Sequence, residues 1–235
     1  MLTPTELHEL LFSHFGELSW WPHDASYHKY RGSDARFEIM IGAILTQNTA
    51  WSNVEKALEN LKAENLLEIC SLCQVNLSKL AQAIRPSGYY NQKAARLKEL
   101  SVYLLDNYDG DLDSFFSKET LQLREELLCL RGIGPETADS MLLYAGAHPI
   151  FVVDAYTKRL CKRLPLNVIY PDDYHSVQAF FESDLAQHHK IKEEQVLTYN
   201  KIHAEIVELA KQFCTSRKPD CQLCPLSSFC MKIVP

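Results

Sequence analysis

The chain has 235 residues, of which 46% are hydrophobic and 23% charged. That composition excludes a wholly disordered, collagenous or low-complexity polypeptide, and the length fits one large or two small domains. The formal net charge of −6 gives phosphate no general attraction, so contact with nucleic acid would have to come from local basic groups or backbone amides.

Helical periodicity dominates from the first residues. Residues 4–16 read as an amphipathic helix, with Thr3 or Thr5 as its cap and Leu7, Leu10, Leu11 and Phe15 on one face. The stretch has no basic flank and no continuous apolar run, so it is not expected to be a signal peptide. No later run approaches the length needed to span a bilayer, and a cytoplasmic location is expected, nucleoid-associated in a bacterium. Trp20-Trp21-Pro22 opens a polar, turn-rich stretch to Asp34. Apolar-periodic segments follow at 37–45, 54–61, 77–84, 93–105, 121–130, 138–145, 155–164, 175–185 and 202–213, separated by turn signals at 86–88, 107–113, 132–135 and 171–173. Ile150 to Val153 is strand-like but too short and isolated to found a sheet. The predicted class is all-α.

The eight cysteines divide into two groups. Cys70, Cys73, Cys129 and Cys161 lie within apolar helical patterns and read as buried structural thiols. Cys214, Cys221, Cys224 and Cys230 follow a Cys-x6-Cys-x2-Cys-x5-Cys spacing. Without an export signal a disulfide framework is not expected. Four close thiolates then point to a soft metal centre, zinc or iron–sulfur. Only one interval is x2, which fits a cluster wrapped by one loop better than a zinc ribbon built from two doublets.

Two basic groups stand out against the acidic total: Lys158, Arg159, Lys162 and Arg163, and then Lys211, Arg217 and Lys218. Each also fits a solvated helix face. The run Leu130-Arg-Gly132-Ile133-Gly134-Pro135-Glu136 ends one helix and starts another. Gly132 and Gly134 permit a positive φ, Pro135 suits a first helical turn, and Ile133 can tuck beneath the hairpin. Free amides at such a helix start can hold a phosphate without a cationic side chain. Twenty residues beyond Gly134, Asp154 opens the next helix. An aspartate there is an ordinary N-cap. The helix dipole also favours its ionised form, and a fixed anion can stabilise a sugar cation or activate water.

Taken together, LRGIGPETAD, FVVDAYTKRL and the cysteine spacing resemble the helix-hairpin-helix base-excision DNA glycosylases of the endonuclease III superfamily. ILTQNT and GYYNQKA extend the resemblance, which covers roughly residues 37–230. It implies a six-helix barrel domain over residues 36–149, and a discontinuous domain from 1–35 and 150–235 that carries a [4Fe–4S] cluster on Cys214, Cys221, Cys224 and Cys230. It implies double-stranded DNA with a damaged base in the cleft between them, and a monomer with no membrane partner. It also implies DNA contacts from Gln47 as a wedge, from Gly132, Ile133 and Gly134 of the hairpin, and from Arg217 and Lys218. Asp154 would be the catalytic carboxylate.

Bifunctional members carry a lysine nucleophile two residues after the second hairpin glycine, and here that position is Glu136. A carboxylate forms no Schiff base, so a monofunctional enzyme is expected. Trp20-Trp21-Pro22 with ILTQNTAW resembles the 3-methyladenine branch, in which aromatic residues stack the flipped base. Trp21 and Trp51, then Trp20, are the pocket candidates, with Glu136 as a second pocket carboxylate. Aromatic faces suit a cationic N-alkylpurine. About ten residues between Pro22 and Phe37 exceed that branch's spacing. The competing expectations are a bifunctional glycosylase/lyase for oxidised pyrimidines and a non-catalytic iron–sulfur DNA-binding protein.

Overall fold

The computed structural model describes residues 2–18 and 20–232. Among them no strand forms, and a parallel bridge between Leu2 and Leu166 is the extended pairing recorded. The chain is all-α and divides into two compact units, Trp21–Gly146 and Met1–Trp20 with Ala147–Pro235.

The Trp21–Gly146 unit is built around α3 (Ala35–Leu45), in which every residue from Phe37 to Leu45 is buried. Met40, Ile41, Ile44 and Leu45 are fully enclosed, each contributing about 2 kcal/mol of burial. Asp34 caps the helix, accepting from the Arg36 N–H at 2.9 Å. Around it stand α4 (Trp51–Ala63), α5 (Ile69–Gln74), α6 (Leu77–Ala83), α7 (Tyr90–Tyr108), α8 (Leu112–Phe116) and α9 (Thr120–Cys129). α10 (Pro135–Ser140) passes without a break into a π-helical turn, Met141–Ala145.

Residues 21–35 pack with 36–146 rather than with the terminal segments, and the reason is polar. Glu38 on α3 is 2% exposed. It accepts from the Asp24 N–H at 3.0 Å and pairs with His28 Nε2 at 2.8 Å and Lys62 Nζ at 2.9 Å. Asp24 in turn caps α2 (Ala25–Arg31), accepting from the Tyr27 N–H at 2.9 Å. The stretch expected to be an irregular loop therefore contains a helix, closed by Gly32 in the left-handed region. Its register comes from a buried ionic network, which leaves no hydrophobic periodicity to read.

Buried Lys93 is a second polar anchor. Its Nζ donates to Leu45 O, Thr49 Oγ1 and Ser87 O at 2.7–2.8 Å. With neutral acceptors alone, burial lowers its pKa to about 8.

The second unit holds α1 (Pro4–Phe15), α11 (Ala155–Arg163), α12 (Tyr174–His188) and α13 (Lys192–Gln212). Thr3 caps α1 in a reciprocal box with Glu6, while Leu7 and Leu11 are fully buried. α13 begins ten residues before the predicted segment, and Thr198, Tyr199 and Ile202 are buried along it.

The scattered cysteines require a correction. Cys161 is buried, and burial pushes its thiol up to about 12. Cys70 and Cys129 are exposed and Cys73 is half-buried, because the short α5 turns Ile69 and Leu72 inward and α9 turns Leu123 and Leu127 inward instead.

Glu38→Ala should destabilise the protein by about 3 kcal/mol in denaturant unfolding, because it strips a buried network of its central anion.

Candidate nucleic-acid and iron–sulfur sites

The hairpin lies between α9 and α10. Gly132 has φ +79°, and a Cβ there would stand 2.1 Å from Arg96 Nε. The positive φ favours glycine, and a Cβ there would also have to push the Arg96 side chain aside. Gly134 does not take the positive φ its sequence allows. It is the extended N-cap of α10, with φ −98° and open space where a Cβ would lie. Ile133 is buried, and its N–H donates to Leu130 O at 3.2 Å within the turn. The expected amide donor at Ile133 is thus already engaged within the turn. Glu136 is exposed in the first turn of α10.

Gln47 lies against this hairpin. Its Nε2 donates to Gly132 O at 3.0 Å and Thr137 Oγ1 at 2.9 Å, and its Oε1 accepts from Arg96. Arg96 therefore touches both the wedge candidate and the tight glycine, a role that periodicity could not reveal. Gln47, Arg96 and Gly132 line one depression with Asn48, Tyr89, Gln92 and Lys93. Tyr89 is 67% exposed, with φ +44°.

The aromatic candidates separate. Trp21 meets Trp51 edge-on, with centroids 5.5 Å apart, and Tyr144 at 5.3 Å. The Trp21 indole lies so close to Gly42 that an added Cβ would be 3.1 Å from Nε1. Sequence reading missed Tyr144 because the π turn at Met141–Ala145 shifts it out of the α-helical register. Trp20 belongs to the terminal unit, where its ring lies 6.5 Å from His203 and Lys211 Nζ is 5.3 Å from its centroid.

Asp154 is delivered by the buried extended segment 150–153. Its backbone bonds are completed by side chains of α12, with the Phe151 N–H donating to Glu182 and Phe151 O accepting from Gln178, each at 2.7 Å. Phe151 also stacks on Phe181 at 4.4 Å. Asp154 then caps α11: Oδ1 accepts from the Thr157 N–H at 2.7 Å and from its hydroxyl at 3.0 Å. Oδ2 lies 3.7 Å from His203 Nε2.

Cys214, Cys221, Cys224 and Cys230 line one small cavity, together with Arg163, Phe213 and Pro219. Burial raises the Cys224 thiol, and the other three cysteines raise it further. Among the described residues no three His, Cys, Asp or Glu side chains converge as for a single metal ion. Four thiols that share one cavity without converging on a point fit a multi-iron cluster better than one ion.

The two arginines of the basic group on α11 serve this loop rather than solvent. Arg163, 7% exposed, donates to Thr215 O at 2.8 Å, Ser216 O at 3.0 Å and Cys214 Sγ at 3.3 Å, with a longer bond to Cys214 O. Arg159 donates to Cys214 O at 2.9 Å, while Lys162 pairs with Asp172. Arg217 and Lys218 are exposed on the loop between the first two cysteines.

Residues 41–183 match the HhH-GPD superfamily of base excision DNA repair proteins, and residues 214–230 match the iron–sulfur binding domain of endonuclease III. The chain belongs to the HhH-GPD superfamily. It is a base-excision-repair DNA glycosylase family member that acts on DNA and carries a [4Fe–4S] cluster. It is 41% identical to a Methanocaldococcus jannaschii protein provisionally named as a DNA repair glycosylase, over 96% of this chain and 94% of that one. It is 27% identical to the endonuclease III of Thermotoga maritima, over 83% of this chain and 82% of that one. Among solved structures, the H. pylori 3-methyladenine DNA glycosylase bound to 1,N6-ethenoadenine superposes with a TM-score of 0.72 at 34% identity, covering 90% of this chain and 98% of that one.

Arg163→Ala should yield protein with lowered iron content and weakened visible cluster absorbance, because three loop carbonyls and one cysteine sulfur lose their shared donor. Metal analysis beside the wild type checks this.

Proposed function

We propose that the protein is a monofunctional glycosylase that hydrolyses the N-glycosidic bond of N-alkylated purines such as 3-methyladenine, acting as a monomer on double-stranded DNA in the cytoplasm. The carrying observation is Glu136, a carboxylate exposed in the first turn of α10, where lyase members of the resembled family place a lysine. An acyl oxygen cannot form the imine that β-elimination requires.

In this reading Asp154 is the catalytic group. The C1′–N bond breaks and its electron pair leaves with the base. A positively charged alkylpurine becomes neutral in doing so, which makes it a good leaving group. The carboxylate of Asp154 stabilises the developing sugar cation and accepts the proton of the water that bonds to C1′. Trp21, Trp51 and Tyr144 are the aromatic surface offered to the flipped base, and Trp20 is a further candidate. Base–aromatic stacking together with the cation–π attraction favours a charged purine. Glu136 adds a second negative charge. The reading is also supported by the likeness to the H. pylori 3-methyladenine glycosylase.

Cys214, Cys221, Cys224 and Cys230 are the proposed cluster ligands, and the cluster holds the loop that presents Arg217 and Lys218 to phosphate. Gln47 is the proposed wedge, backed by the amides of the hairpin.

Release of 3-methyladenine from methylated duplex DNA, lost in Asp154→Asn and accompanied by no borohydride-trapped adduct on abasic DNA, is the expected result. A trapped adduct with release of oxidised pyrimidines would favour a lyase, the activity implied by the covalent endonuclease III–DNA structure that superposes at a TM-score of 0.73 with 25% identity. A cluster-loaded protein that binds DNA and releases no base of either kind would favour the non-catalytic reading. Separately, Arg217→Ala should reduce the slope of log binding constant against log salt by about one, measured by titration of duplex DNA.

A further inference from the structure

The two oxygens of Asp154 have different surroundings. Oδ1 is held by the Thr157 amide and hydroxyl. Oδ2 faces His203 Nε2 at 3.7 Å, and the two side chains are 14% and 4% exposed. His203 projects from the middle of α13, with its ring edge-on to Phe151 at 6.4 Å and tilted against Trp20 at 6.5 Å. An apolar side chain would fill that space as well. An imidazole there puts a polar nitrogen, at a desolvation cost, beside the oxygen that the helix cap does not hold.

Other ionisable groups on the packed elements are engaged elsewhere. His8 on α1 pairs with Glu205, Glu182 on α12 accepts from Phe151, Lys201 pairs with Glu17, and Lys211 lies over Trp20. Burial lowers the imidazole pKa against the opposing pull of Asp154, so the ring is neutral near neutral pH. A neutral imidazole can present one N–H without cancelling the carboxylate charge.

We propose that His203 is a positioning residue for Asp154: its Nε2–H fixes the plane of the carboxylate and aims Oδ2 at the reacting sugar, while leaving the anion uncompensated. This rests on the reading of Asp154 as the catalytic carboxylate. An N–H donor turned towards Oδ2 favours the ionised carboxylate.

The test combines two variants and one spectrum on the cluster-loaded protein. His203→Gln keeps a donor near the Nε2 position, and His203→Leu removes it. Both are compared with the wild type and Asp154→Asn for base release from methylated duplex DNA. His203→Leu should lose roughly tenfold to a hundredfold in kcat with little change in KM, the usual scale for a hydrogen bond to a charged group. Its acid limb of kcat against pH should move to higher pH, and His203→Gln should restore most of both. Equal kcat and an unshifted acid limb in His203→Leu, with Asp154→Asn inactive, would overturn the inference and leave the catalytic reading standing. Retained activity in Asp154→Asn would overturn that reading and the inference with it. Nitrogen-15 imidazole spectra of the wild type need no substrate. They should show a neutral, Nε2-protonated ring, and an Nδ1-protonated ring would overturn the inference even if His203→Leu fails to fold.

Discussion

The nine residues of α11 join the two chemical ends of the terminal unit. Asp154 caps the first turn and Arg163 closes the last, about 14 Å further along the axis. At the far end the guanidinium gathers the carbonyls of Thr215 and Ser216 and the sulfur of Cys214. At the near end the cap is drawn in by a segment whose backbone is held by Glu182 and Gln178. A short helix is stiff over this length, so the iron–sulfur loop and the proposed catalytic carboxylate are placed by one rigid piece. The cluster can therefore matter to the chemistry without taking part in it.

The acidic net charge is reconciled with a DNA substrate by where the charges go. Lys62 is drawn to Glu38, Arg124 to Asp139, Arg36 to Asp34 and Arg163 to the cysteine loop. Glu38, Asp139 and Arg163 are buried, so these charges say little about the field a ligand meets. Among the exposed cations, Arg217 and Lys218 sit together on the cysteine loop, and the proposed grip on phosphate needs only such a local pair and uncharged amides at the hairpin. A summed charge is a poor guide when so many cations serve the fold.

The sequence was most legible where a local rule had one solution. The threonine cap of α1, the apolar run of α3, the glycine-marked hairpin and the clustered cysteines each belong to short stretches, and the predicted helical segments appear in their predicted order. It was least legible where a side chain acts at a distance. α2 owes its position to Glu38, an acid inside an otherwise apolar helix. Arg163 looks like a solvated cation until a loop far along the chain folds over it. Cys70 sits in an apolar run yet faces outward, because a helix of six residues buries only one side. Tyr144 and His203 carry no local mark, since an irregular turn sets one and a long-range approach to Asp154 sets the other.

The π turn at Met141–Ala145 also fixes a spacing along this part of the chain. Such a turn holds one residue more than its α counterpart. Deleting that residue would restore an unbroken α-helix at no cost in hydrogen bonding. It would also turn the residues beyond it by about 100° and draw them back about 1.5 Å, which would swing Tyr144 away from Trp21. The stretch from Gly134 to Gly146 is thus a ruler of fixed length: surface loops elsewhere in the chain can drift in size, whereas this one can change only if Tyr144 and its neighbours are repacked along with it.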